Sequence, residues 1–118
     1  MKLVIIDYGS GNLKSVENAF KYCIKTNNLT FSVEVTNDLN SISKADHLVL
    51  PGVGSFPDCK KGLQQIDGLI DILTNEVINK RKKFLGICVG MQLMVDYSLE
   101  KKRTAGFGWL NGNFKTIT

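Results

Sequence analysis

The sequence predicts an α/β fold: a doubly wound, mostly parallel sheet with helices on both faces and the start of an antiparallel hairpin. Three observations carry this prediction. Apolar runs at residues 3–7 (this one largely β-branched), 47–50 and 84–87 each stop at a glycine-rich turn. Apolar residues at helical spacing follow those turns. The turns themselves, Gly9-Ser10-Gly11, Pro51-Gly52-Val53-Gly54 and Gly86-Ile87-Cys88-Val89-Gly90, all fall at carboxyl ends of predicted strands, where such sheets build their sites.

Residues 3–7 read as a first, central strand. A helix begins at Leu13 with Asn12 as N-cap and Leu13, Val16, Phe20, Cys23 and Ile24 on its inward stripe. Over residues 31–36, Phe31, Val33 and Val35 alternate with Ser32, Glu34 and Thr36, as in a strand with one exposed face or near an edge. Residues 37–44 are polar and hold at most a short helical turn, and residues 47–50 form a third, buried strand. Helical pattern resumes near Asp58. Leu69, Ile70, Leu73, Val77 and Ile78 mark the inward stripe of a helix that ends in Lys80-Arg81-Lys82-Lys83. Residues 84–87 are a fourth buried strand, followed by a helix to about Asp96. Near the end, Asn111-Gly112-Asn113 between Phe107-Gly108-Trp109-Leu110 and Phe114-Lys115-Thr116-Ile117 is a strong hairpin signal. The expected order is β-α-β-β-α-β-α and then an opening hairpin.

At 118 residues the chain is one domain or part of one. Its net charge of +4 is mild, and the run at residues 80–83 reads as a solvated helix end whose cations complement the helix dipole. No aromatic residues interleave that run or Lys101-Lys102-Arg103, which argues against nucleic-acid binding. The three cysteines, Cys23, Cys59 and Cys88, are distant and show no metal-ligand spacing, so neither a metal nor a cofactor is expected. The apolar start is too short for a signal peptide or membrane span, and free thiols suit a cytoplasmic protein. Gly9-Ser10-Gly11 lacks the third glycine of a dinucleotide fingerprint, and no P-loop occurs, so a tight strand-to-helix turn explains it equally well.

The informative turn is the one around Cys88. Strand, Gly-x-Cys-x-Gly and helix in that order make a nucleophile elbow with sulfur in place of oxygen. Gly86 and Gly90 let backbone pass close to a strained residue. Helix N-terminal amides favour thiolate over thiol, and the N–H of Val89 is a natural oxyanion donor. The bland reading is that Cys88 is a small buried hydrophobe, as most free cysteines are. Gln92, four residues on, shares the helix face of Cys88 and suits a substrate contact. Glu100 reads equally well as a solvated carboxylate. Phe56, Met91 and Met94 read as core or pocket wall.

The motifs Asp7-Tyr8-Gly9-Ser10-Gly11-Asn12, Pro51-Gly52-Val53-Gly54-Ser55-Phe56 and Gly86-Ile87-Cys88-Val89-Gly90-Met91-Gln92 together resemble the class I (triad) glutamine amidotransferases, whose domain is flavodoxin-like. Within them, the first two motifs resemble the glutaminase subunits of imidazole glycerol phosphate synthase. The cysteine motif alone points only to the broad superfamily. The resemblance spans the chain in order, including Gly106-Phe107-Gly108-Trp109. It implies that Cys88 attacks the side-chain amide of glutamine, giving a glutamyl thioester and ammonia. It implies Val89 as one oxyanion donor and Gly52 and Val53 as an oxyanion strand whose peptide reorients before donating. Gln92, Gly54 and Glu100 would bind glutamine, and Asn12 would face a (β/α)8-barrel cyclase subunit, the heterodimer partner that receives the ammonia for histidine biosynthesis.

One departure stands out. A cysteine amidase needs a base and a carboxylate that orients it, and the family's His and Glu come from a segment past this chain's end. The only histidine, His47, opens the third strand, so an extended four-residue strand puts it roughly 13 Å from the active face. It reads as a half-buried structural residue. The 118-residue chain is thus expected to be a single amidotransferase domain truncated on its C-terminal side, either a fragment or a short product, with little glutaminase activity of its own. The alternatives are a truncated relative that only binds a partner, an amidotransferase subunit serving another acceptor such as a surface sugar, and a flavodoxin-like ligand module in which Cys88 is incidental.

Overall fold

A computed structural model of the chain describes residues 1–99 and 102–115. The elements run β1 (Lys2–Ile6), α1 (Leu13–Thr26), β2 (Ser32–Thr36), α2 (Leu39–Lys44), β3 (His47–Leu50), α3 (Phe56–Gln64) and α4 (Leu69–Thr74), the last continued by a π-helical turn, Asn75–Asn79. Then come β4 (Lys83–Gly86), α5 (Val89–Gln92), β5 (Val95–Ser98), β6 (Thr104–Ala105) and β7 (Leu110–Phe114).

The first four strands form one parallel sheet in the order β2-β1-β3-β4. Ile5 lies opposite both Val35 and Val49, so β1 is interior and β2 an edge, as the alternation of β2 suggested. Side chains alternate across the sheet. Val4, Ile6, Leu48 and Leu50 pack with Ile42, Phe56, Leu63 and Leu73 of the helices on one face. Leu3, Ile5 and Val49 meet Val16 and Phe20 of α1 on the other. Side-chain caps start three of the helices, α1 as expected: Asn12 accepts from Ser15 N–H (3.4 Å), Asp38 from Ser41 N–H (3.0 Å) and Ser55 from Asp58 N–H (3.2 Å).

Several expectations need correction. Asp38 caps a true six-residue helix, α2, and the helical stretch after β3 is two helices broken at Gly68, whose φ is +79°. In the π-helical turn Ile78 faces solvent (46 % exposed) while Glu76 is buried (1 %). That burial recruits the basic run: Lys80 and Lys82 reach Glu76 at 2.9 and 2.6 Å, so Lys82 is a structural residue and not part of a solvated end. β4 is an edge among the described residues, with Leu85 49 % exposed, and Cys23 of α1 is exposed instead of inward. α5 ends at Gln92 and not near Asp96, because Val95–Ser98 is drawn into a strand.

Nor does Asn111-Gly112 turn a hairpin. Both residues lie inside β7, which pairs parallel with β5, while β6 pairs antiparallel with β5 in a separate three-stranded sheet. The pairing slips between Val95 and Tyr97, Gly112 takes φ +136°, and its N–H donates to Asp96 (3.1 Å), so the glycine serves a bulge. The expected second hairpin arm includes Thr116 and Ile117, which lie outside the described residues. Trp109 ties this small sheet to the large one: its ring stacks edge-on against Phe84 (5.2 Å), and its Nε1–H donates to Thr74 (3.3 Å). Lys60 of α3 donates to the carbonyl of Ala105 at 2.7 Å, and burial pushes its ammonium pKa down.

Candidate active site

The three glycine-rich turns meet at the carboxyl end of the parallel sheet. The backbone passes so tightly that side chains there are excluded. A Cβ on Gly90 would stand 1.9 Å from the Leu50 carbonyl oxygen, and one on Gly86 would stand 2.7 Å from the Met91 backbone. Gly52 is similarly enclosed, by the Tyr8 hydroxyl and the Gly90 nitrogen. Between the two elbow glycines, Cys88 adopts φ +54°, ψ −119°, a conformation rare for any residue with a side chain. It is held there by its neighbours: Ile87 N–H donates to Leu50 (3.0 Å), and Met91 and Gln92 N–H donate to the Cys88 carbonyl (3.0 and 3.1 Å). Cys88 occupies the N-cap position of α5 without a side-chain capping bond and is exposed, which removes the buried-hydrophobe reading.

The residues singled out from sequence fall as follows. Val89 N–H, the anticipated oxyanion donor, is occupied by the Gly52 carbonyl at 3.3 Å. Gly54 takes φ +91° with open space around it, and Gln92 is half-buried one turn beyond Cys88. Asn12 is exposed on the same face, next to Gly11, whose Cβ position lies 3.0 Å from Pro51. Glu100 lies outside the described residues. Phe56 is core, whereas Met91 is half-exposed. His47 opens β3 at the opposite end of the sheet, its ring 5.2 Å from that of Phe31.

Three residues escaped the sequence reading. The Tyr8 hydroxyl is buried and donates to the Pro51 carbonyl at 2.6 Å; burial, with Cys59 beside it, drives its pKa well above the ordinary tyrosine value. Ser10 and Cys59 grip Val53. Val53 N–H donates to Ser10 Oγ (3.1 Å), and the Val53 carbonyl accepts from Ser10 Oγ (3.0 Å) and Cys59 Sγ (3.2 Å). Only Tyr8 had a signal, its place in the Asp-Tyr-Gly motif. The roles of Ser10 and Cys59 depend on contacts 43 and 6 residues along the chain. Beneath them a cavity of about 370 Å³ opens between Gly9-Ser10-Gly11 and α3.

Among the described residues, no cluster of His, Cys, Asp or Glu is placed to hold a metal ion, and no helix is long and apolar enough to cross a membrane. The exposed thiol of Cys88, its strained backbone and its place at the start of α5 make the arrangement of a covalent acyl-transfer nucleophile.

Comparison with known proteins agrees. The family model for class-I glutamine amidotransferases matches residues 4–115. The imidazole glycerol phosphate synthase subunit HisH of Mesorhizobium japonicum is 45 % identical over 118 residues, covering all of this chain and 55 % of that protein. The HisH proteins of Brucella suis (44 % over 117 residues, 99 % and 54 % of the two chains) and Rhodospirillum rubrum (42 % over 118 residues, 100 % and 55 %) are similarly close. The chain thus spans about half the length of the curated relatives it matches. With its elbow, its glycine-rich turns and its parallel sheet accounted for, the chain belongs to the class-I glutamine amidotransferase family.

Proposed function

We propose that this chain supplies the nucleophile half of a glutaminase, in the manner of the glutaminase subunit of imidazole glycerol phosphate synthase. Cys88 thiolate attacks the side-chain amide carbon of glutamine. The resulting oxyanion is met by Val89 N–H and by the Gly52–Val53 peptide once that peptide has turned. Collapse expels ammonia and leaves a glutamyl thioester, which water then hydrolyses. Gln92 and Gly54 line the glutamine site, joined by Glu100. Asn12 faces a (β/α)8-barrel cyclase subunit that consumes the ammonia in histidine biosynthesis, and the pair works in the cytoplasm.

The observation that carries this reading is the positive φ of Cys88 between two glycines that admit no side chain. Strain of that kind persists only where the surrounding structure enforces it, and here it presents a thiol to solvent. The HisH relatives support the choice of pathway. The proton carriers, a His and a Glu, would come from the additional length that those relatives possess, making this chain the N-terminal part of one amidotransferase domain.

The test is trapping. The protein isolated at its native length from its source cells should release ammonia from glutamine and carry a glutamyl adduct on Cys88, both lost in Cys88→Ala. A native mass near 13.1 kDa together with absence of any adduct would replace this reading with a partner-binding role. A normal glutaminase rate from a chain ending at Thr118 would show that no later His or Glu is needed.

A further inference from the structure

The amino-terminal ends of β3 and β4, at the opposite end of the sheet from Cys88, carry a second concave surface that the amidotransferase chemistry does not use. A cleft of about 480 Å³ opens there, within the size range of small-molecule sites. Its lining includes the whole basic run, Lys80, Arg81, Lys82 and Lys83, together with Phe31 and His47. Strand pairing sets His47 directly opposite Lys83. The half-buried rings of His47 and Phe31, 5.2 Å apart, give the cleft a flat aromatic wall beside its cations.

Those cations exceed the negative charge available to them. Lys80 and Lys82 share the single carboxylate of Glu76, at 2.9 and 2.6 Å. Among the described residues, Arg81 and Lys83 have no carboxylate partner, and both are exposed. Asp46, the one acidic residue lining the cleft, is engaged by the backbone N–H of Lys2 at 2.7 Å. A concave surface with a surplus of one sign concentrates ligands of the other.

Arg81 supplies an independent observation. Its φ is +58°, in the turn that ends the π-helical segment, where the N–H groups of Lys80 and Lys82 close onto the carbonyls of Asn75 and Glu76 (both 3.0 Å). Glycine is the usual residue in such a left-handed helix end. An arginine held there sets a guanidinium, the side chain best matched to a phosphate, on the wall of the cleft.

We propose that this cleft binds a phosphate ester carrying a flat ring, a nucleoside polyphosphate being the class that fits. Its phosphates meet Arg81 and Lys83, and its ring lies against Phe31 and His47. A bare inorganic anion would leave the aromatic wall unused. A nucleic-acid strand needs aromatics interleaved along a basic track, and the run at residues 80–83 has none.

The experiment titrates the full chain with metal-free ATP and, separately, with inorganic tripolyphosphate, by calorimetry at low salt. ATP should bind saturably at one site and more tightly than tripolyphosphate, and it should shift the amide signals of His47 and Lys83 but not of Cys88. Arg81→Gly relieves the backbone and removes the guanidinium, so it should melt at or above wild type yet bind ATP about tenfold more weakly. Lys83→Gln is the second variant, with a loss of similar size. Lys25→Gln, which removes a cation from the end of α1 outside the cleft, should change nothing. The proposal is overturned by the absence of saturable binding, by ATP binding no more tightly than tripolyphosphate, or by affinity that survives both Arg81→Gly and Lys83→Gln. Any of these results leaves the amidotransferase reading standing, because the cleft shares no residue with the Cys88 site.

Discussion

Glu76 offers the sharpest test of how this fold is held together. Its carboxylate is 1 % exposed and meets two ammonium groups: Lys82 Nζ at 2.6 Å, itself 16 % exposed, and Lys80 Nζ at 2.9 Å, 55 % exposed. Lys82 also donates to the carbonyls of Ile42 and Ser43, tying the end of α2 to the start of β4. Replacing Lys82 with Met keeps the volume and removes the inner partner. Breaking a buried pair costs roughly 3–5 kcal/mol; because Lys80 remains, the lower end, about 3 kcal/mol, is expected. With an unfolding entropy of about 2.1 cal/mol/K per residue, a domain of this size should lose about 12 °C in Tm. Lys80→Met, on the exposed side, should cost about 1 kcal/mol or less.

Circular-dichroism melts of Lys82→Met, Glu76→Gln and the double variant measure the coupling directly. Acid adds a second arm. Burial pushes the Glu76 pKa up, but Lys82 and Lys80 outweigh it and hold it below the ordinary 4.5. A folded value below the unfolded one means that the stabilisation is complete above pH 4.5 and fades as pH falls through the lower folded value. Glu76→Gln should accordingly lose less stability than wild type on acidification through that window. A Lys82→Met protein melting within about 2 °C of wild type, or level with Lys80→Met, would refute the buried-pair argument.

The remaining predictions concern the site. Gly90→Ala should cost about 3 kcal/mol or more, since its Cβ falls 1.9 Å from the Leu50 oxygen; denaturant melts check this. Gly54→Ala, with open space and only the φ of +91° against it, should cost about 1–2 kcal/mol in the same assay. Near neutral pH iodoacetamide should modify Cys88 about tenfold faster than Cys23, which is also exposed, with buried Cys59 last. Equal rates at Cys88 and Cys23 in a timed mass map would count against an activated elbow. Asn12→Ala should lower stability by about 1 kcal/mol through the lost cap on Ser15 N–H, read from the shift in urea midpoint.

What the sequence by itself determined is the part of the molecule governed by local rules. Continuous aliphatic runs became β1 and β3, Asn12 capped α1, and glycine-bracketed Cys88 became a strained elbow. In each case the constraint acts within a few residues, through strand burial, a side-chain cap or a steric limit on φ. Tertiary structure decided wherever long-range packing outbid a local preference. Asn111-Gly112, a turn pair by local rules, was drawn straight into β7 by pairing with β5. The amphipathic run after Gly68 gave up the place of Ile78 because Lys80 and Lys82 could neutralise a buried Glu76. At the site, the positions of Gly52 and Cys88 could be read from their turns, but the direction in which the Gly52–Val53 peptide points could not. That depends on Ser10 and Cys59 reaching Val53 from other segments, and an amide plane has no local preference strong enough to choose its own face.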